Sequence, residues 1–329
     1  MVLSSNVGMG EYLLVGNEIE SPLVNAAGSV NGVNPEAILR EVDELAATGI
    51  GAVTIGSFTV PPQAGNEARY GAPVYYHDAV EGKTYNSMGL PNIGVVAAAS
   101  LSPEIVNRVH DAGKVVVYSG SPTNSVEHGS AVDQAARLAY ELLATDADLV
   151  EINVSCPNIV INGDSRKPIM GYDLVTMMEL VERLHSEVGQ TGRLGVKLPP
   201  YLSQDEKRLA PRLAKIIQAQ NIFRFIVTPN TIPNQVPLGS NGESMLTVPG
   251  GRGGLSGPAT KDIGRAQLTL WRENVDCEII STLGVDSGQE LHHRRQLGAV
   301  AAGGVTFLWQ SKNWKATVTD MLTEFAALQ

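Results

Sequence analysis

One cysteine stands where an apolar run gives way to polar residues, in Asn153-Val154-Ser155-Cys156-Pro157-Asn158. A thiol among amides and hydroxyls can exchange a proton with a bound molecule. The alternative is a half-buried structural cysteine, a common role for this residue type. Lys197 lies inside the apolar stretch Gly195-Val196-Lys197-Leu198-Pro199-Pro200. An ammonium there is expensive unless it meets a partner, and it can stabilise negative charge developing on an electron-poor ring. The alternative is an outward, solvated lysine. Asn86, Asn153, Asn158 and Asn230 each end or follow an apolar run. Each alone reads as a turn residue. Gathered at one rim, their paired donors and acceptors can read a ring of alternating C=O and N–H groups.

The elements that must position these residues alternate short apolar runs with longer amphipathic ones. Apolar runs at 23–28, 51–57, 114–119, 148–154, 193–198, 222–228, 277–282 and 299–303 predict strands. Spacing of three and four predicts helices over 35–47, 130–144, 172–188, 204–219, 258–273, 287–296 and 314–328. Ser102-Pro103-Glu104 predicts one further helix, with Ser102 as N-cap and Pro103 at its first position. About eight β/α units result, the number that closes a (β/α)8 TIM barrel. No composition shift divides the chain, so 1–329 is expected to form a single domain. A doubly wound sheet uses the same alternation, but no glycine fingerprint follows the first strand. The long turn-rich segments 60–83 and 229–257 are expected as inserted loops at the C-terminal face of the barrel.

In such a barrel the strand ends carry the chemistry. Here they offer Ala26, Ala27, Gly28, Ser57, Asn86, Asn153, Cys156, Asn158, Lys197, Asn230 and Thr231, then Gly253, Gly254, Gly284 and Thr306. The late, glycine-rich group suits a phosphate held by backbone N–H groups. A flexible surface loop is the other reading of the Gly250–Gly257 cluster. His292-His293-Arg294-Arg295 reads as a solvated helix face, and Cys277 as core. No His, Cys or carboxylate set has metal spacing, so no metal site is expected.

The 329 residues are 43% hydrophobic, enough for a large core. A net charge of −10 with only 24 Lys+Arg makes nucleic acid and anionic membranes poor partners. Two cysteines in unlike settings exclude a disulfide framework and point to the cytoplasm. Residues 1–12 have neither a basic nor a long apolar stretch, so neither a secretion signal nor a membrane span is expected.

Together these motifs resemble the dihydroorotate dehydrogenase family, in its class 1, A-type branch with a cysteine base. The carriers are Asn153-Val154-Ser155-Cys156-Pro157-Asn158, Asn86-Ser87-Met88-Gly89-Leu90-Pro91-Asn92 and Gly195-Val196-Lys197-Leu198-Pro199-Pro200-Tyr201. The resemblance implies an FMN-binding barrel that oxidises dihydroorotate to orotate, with fumarate as acceptor, as a cytoplasmic homodimer. It implies that Cys156 takes the C5 proton while hydride leaves C6 for the flavin, and that Lys197 supports the reduced flavin. The implied substrate contacts are Asn86, Asn153, Asn158, Asn230 and Thr231, with backbone groups of Met88, Gly89 and Leu90 at the carboxylate. The implied cofactor contacts are Ala26, Ala27, Gly28, Ser57, Asn86, Asn153, Lys197, Gly253, Gly254, Gly284 and Thr306. Residues 159–170 would be a lid. The chain departs from the family at the end of the second strand, where Ile55-Gly56-Ser57 replaces a lysine. Lys83 and Lys167 are the cations that could reach in. Leu283 and Val305 stand at usual glycine positions. A relative acting on another cyclic amide or an enone, and a non-catalytic ligand-binding paralogue, are the alternatives.

Overall fold

The strands are short, and what they are made of decides where they sit. The computed structural model describes residues 12–123, 126–156, 158, 167–310 and 312–329. The described chain opens with a hairpin, β1 (Tyr12–Leu14) and β2 (Asn17–Ile19), followed by β3 (Leu23–Asn25) and α1 (Pro35–Ala46). Next come β4 (Ala52–Phe58), α2 (Gly65–Tyr70), β5 (Tyr75–Asp78), β6 (Lys83–Asn86), α3 (Val95–Asp111) and β7 (Val115–Gly120). The middle holds α4 (Ala131–Leu143), β8 (Leu149–Asn153), α5 (Leu174–Glu187), β9 (Leu194–Lys197), α6 (Gln204–Gln218) and β10 (Phe225–Thr228). The last part holds β11 (Ile232–Gln235), β12 (Gly253–Ser256), α7 (Lys261–Arg272), β13 (Glu278–Ser281), α8 (Gly288–Gln296), β14 (Ala301–Gly304), α9 (Thr306–Trp309) and α10 (Trp314–Ala326).

Eight strands close a parallel barrel in the order β10-β13-β14-β3-β4-β7-β8-β9. The expected (β/α)8 barrel is therefore what the chain forms. Closure brings backbones very near each other: Gly303 on β14 lies opposite Val24 on β3, and a Cβ there would overlap the Val24 carbonyl. The barrel interior is filled by Val24, Val117, Leu149, Phe225, Val227 and Ile280. Gly195 makes the room, since a Cβ on it would enter the Phe225 ring. Leu14 and Ile19 of the β1–β2 hairpin join this inner cluster and plug it from the N-terminal end.

A larger core lies between strands and helices, where the apolar faces of α1, α4, α5 and α6 pack. Those helices start on side-chain caps at Asn34, Ser130, Asp173 and Ser203; Ser130 and Ser203 form capping boxes with Asp133 and Glu206. The expected start of α3 is corrected. The helix begins at Val95, and Pro103 sits inside it. The alanine-rich run after Gly94 already favours helix and buries Val95 and Ala98. Ser102 is no cap; its buried hydroxyl accepts from the Tyr118 phenol at 3.1 Å.

The two segments expected as long loops pair with each other. They build a four-stranded antiparallel sheet in the order β11-β12-β6-β5. Gly254 of β12 pairs with Asn86 of β6, so both insertions meet beside one of the candidate site residues. Among the described residues, no helix is long and apolar enough to cross a membrane.

Candidate active site

The strand ends surround one cavity. Ala26, Ala27, Gly28, Ser57, Asn86, Met88, Gly89, Leu90, Asn153, Cys156, Asn158, Lys197, Asn230, Thr231, Gly284 and Thr306 all line it. Gly253 and Gly254 do not. They lie in β12, where Gly253 passes close over the Asn86 carbonyl and Gly254 sits under the Thr231 hydroxyl. Their small size serves strand crossing. The segment 159–166 of the expected lid lies outside the described residues. The cavity also recruits residues that no motif marked, among them Tyr75, Thr84, Asp286 and Trp309. The first two lie in the unexpected sheet. Trp309 is recognisable only once β14 and α9 bring it edge-on to Tyr75, with ring centroids 5.2 Å apart.

The amides are wired to one another. Asn158 Nδ2 donates to Asn86 Oδ1 at 2.9 Å. Asn230 Nδ2 donates to Ser155 Oγ at 2.9 Å, and Ser155 Oγ donates to Asn153 Oδ1 at 2.8 Å. Asn153 Nδ2 in turn donates to Ser57 Oγ at 3.1 Å. Ser57 and Ser119 hydroxyls lie 2.8 Å apart, and Ser119 Oγ donates to the buried Glu151 carboxylate at 2.7 Å. The end of the second strand thus leads through a hydroxyl relay to a carboxylate. These bonds fix the rotamers of the asparagine side chains.

Two ammonium groups are buried near the thiol. Lys197 is 4% exposed, faces the cavity and meets no hydrogen-bond partner or carboxylate among the described residues. Its Nζ is not among the sealed polar atoms, so it stands open to the cavity, where an anionic or carbonyl-rich ligand can meet it. Lys167 is equally buried and donates to the Pro122 carbonyl at 2.5 Å. Burial pushes its pKa from 10.5 down to about 8, and the negative charge of Cys156 opposes that fall. Lys83 stays outside, paired with Glu81 at 2.5 Å on the β5–β6 hairpin. Of the two lysines that could have reached in, neither lines the cavity, but Lys167 is buried close enough to feel the charge of Cys156.

Two stretches of backbone offer unused N–H groups. Gly89 and Leu90 are both left-handed, with φ of 73° and 55°. Among the described residues, nothing accepts from the N–H groups of Met88, Gly89 or Leu90. Successive backbone N–H groups in a tight turn can converge into a concave anion cradle. Asn92, fully buried, holds this turn from beneath through the Leu90 carbonyl at 2.8 Å. The second stretch follows β13. Leu283 is left-handed at φ 68° despite its side chain, and Gly284 at 82°. Among the described residues, nothing accepts from the N–H groups of Leu283, Gly284 or Val285. Thr306 lines the same cavity, with its Oγ1 3.2 Å from Ser256 Oγ. Both cradles and the Lys197 ammonium fit an elongated ligand bearing a phosphate at one end, together with a carboxylated ring.

The expected solvated face of α8 is corrected. Arg294 is fully buried, because its five donors all find acceptors deep in the protein. The i, i+4 partner Glu290 shares its carboxylate with Arg265, and no sequence pattern marks that pair as interior. Cys277 is half-buried, and burial pushes its thiol up to about 11. Among the described residues, no three His, Cys, Asp or Glu side chains gather at metal-binding spacing.

Residues 10–325 match the profile of the family described as dihydroorotate dehydrogenase. The chain belongs to the dihydroorotate dehydrogenase family. Among curated members it is 29% identical to a probable dihydroorotate dehydrogenase A (fumarate) of Enterococcus faecalis, over 86% of this chain and 83% of that protein. It is also 29% identical to a dihydroorotate dehydrogenase (fumarate) of Trypanosoma brucei brucei, over 84% and 80%. The crystal structure of DHODH in complex with ferulenol from Eimeria tenella superposes with a TM-score of 0.72 at 18% identity, covering 95% of this chain and 82% of that one. At that identity the likeness speaks for the barrel alone.

Proposed function

We propose that the protein is an FMN-dependent oxidoreductase that converts dihydroorotate to orotate, with fumarate as the final acceptor. One observation carries this reading: the ammonium of Lys197, with no hydrogen-bond partner among the described residues, opens onto the same cavity as Cys156. FMN, when bound, supplies the two-electron acceptor. Its phosphate fits the N–H groups of Leu283, Gly284 and Val285, with Thr306 and Ala26 to Gly28 lining the same cavity. Lys197 meets the electron-poor ring system. Asn86, Asn153, Asn158, Asn230 and Thr231 hold the substrate ring, and the Met88–Leu90 cradle takes its carboxylate. Cys156 accepts the proton from the ring carbon next to the one that loses hydride. Thiolate formation is the step that the pH controls. The names of the fumarate-dependent relatives support the acceptor. A homodimer in the cytoplasm completes the reading; light scattering of the purified protein tests the dimer.

The deciding experiment is the visible spectrum of the purified protein, before and after anaerobic dihydroorotate. Flavin absorbance that bleaches on addition is the expected result. A flavin-loaded protein left unbleached would sink the reading. One observation favours a second substrate class. Lys197 is the one cation lining the cavity among the described residues, and the second-strand end leads through Ser119 to Glu151. A dihydropyrimidine without the carboxylate suits that balance. Bleaching by such a ring, with none by dihydroorotate, would select it.

A further inference from the structure

The Leu283 turn holds a conformation that L side chains rarely adopt. The cause lies behind the turn, in the guanidinium of Arg294. Its Nη1 donates to the Thr282 carbonyl at 3.1 Å and its Nη2 to the Leu283 carbonyl at 2.9 Å. Nη1 also donates to Ser281 Oγ at 2.7 Å, and Nη2 to the Lys261 carbonyl at 3.2 Å. Nε donates to Glu290 at 2.6 Å, which fixes the guanidinium plane. All five N–H donors are thereby spent on one geometry. Space for this group is built in. A Cβ on Gly264 of α7 would collide with both the Leu283 carbonyl and the guanidinium.

A trans peptide carries its C=O and N–H on opposite sides. Drawing the Thr282 and Leu283 carbonyls toward Arg294 therefore turns the N–H groups of Leu283 and Gly284 away from it. That opposite side is the cavity, which Thr282, Leu283 and Gly284 all line. We infer that Arg294 is a positioning residue for the anion-binding turn: it touches no ligand, but it sets the two N–H groups that hold the phosphate. The inference rests on the reading of that turn as the phosphate end of the FMN site. It also explains how the turn keeps its shape with leucine at position 283. The left-handed backbone is enforced by a buried cation instead of being permitted by a missing side chain.

The test compares FMN with riboflavin, which lacks the phosphate. Parent, Arg294→Met and Ser281→Ala are freed of flavin and titrated with each ligand by fluorescence. Ser281→Ala removes a single hydroxyl acceptor and leaves the Glu290 pair intact, so it stays informative if Arg294→Met does not fold. The preference for FMN over riboflavin is expected to fall about tenfold or more in Arg294→Met and a few-fold in Ser281→Ala. Riboflavin affinity is expected to stay at the parent's value. A general loss of packing would weaken both ligands alike. An unchanged preference in a variant that binds riboflavin as the parent does overturns the assignment. A parent that binds both ligands equally removes the phosphate reading, and this inference with it.

Discussion

The Lys167 ammonium and the Cys156 sulfur are both buried, and each lies in the other's electrostatic field. The attraction that favours the charged lysine also favours the thiolate. Removing it with Lys167→Met is expected to move the rise of the flavin-reduction rate upward by about one pH unit. Cys156→Ala should lower that rate by about 10²–10⁴-fold, the worth of a positioned general base. Stopped-flow absorbance across pH 6–10 gives both results. A profile that does not move in Lys167→Met would separate the two residues.

The same lysine has a cost that stability measurements can read. Its folded pKa, about 8, lies below the unfolded value of 10.5. Between those values the unfolded chain binds the extra proton, so stability rises with pH there. Below pH 8 the full cost of the buried charge is present, on the order of 3 kcal/mol. Lys167→Met is therefore expected to be more stable than the parent at pH 7 in urea unfolding. The gain should shrink between pH 8 and 10.5.

Lys197 should show a different balance between empty and loaded protein. Its ammonium opens onto the cavity and meets no hydrogen-bond partner among the described residues. Lys197→Met is expected to leave the melting temperature of the flavin-free protein nearly unchanged and to lower that of the FMN-loaded one. Equal shifts of one sign in both forms would mean that the lysine does not face the cofactor.

Two neighbouring glycines should respond differently. A methyl on Gly303 overlaps the Val24 carbonyl, while one on Gly304 meets nothing within 4 Å. Gly303→Ala is expected to cost more than about 3 kcal/mol, because the first and last strands can no longer close. Gly304→Ala should fold like the parent and bind FMN more weakly, since its methyl enters the cavity. Circular dichroism and flavin titration distinguish them.

The eight strands were legible because a parallel strand buried on both faces reads as an unbroken apolar run, as Val115 to Tyr118 does. Cys156, Lys197 and the asparagines were legible because a polar residue ending such a run has few other reasons to be there. What stayed hidden depends on distant partners. The four-stranded sheet needs segments about 170 residues apart to pair, and β-propensity in Tyr75–Asp78 or Gly253–Ser256 is too weak to announce it. Arg294 sits in a stretch of histidine and arginine that looks solvated. Its burial follows only from the carbonyls that α7 and the β13 turn bring to it. Pro103 misled because it favours a helix start, yet the run before it was helical enough to continue through.

Of the three tryptophans, Trp271 is sealed in the core and Trp314 begins the final helix, so Trp309 alone looks into the cavity. Its indole stands edge-on to Tyr75 in the cavity wall. On the FMN reading, a flavin bound there would quench its emission, and the intact chain would carry an optical gauge of cofactor loading that needs no label.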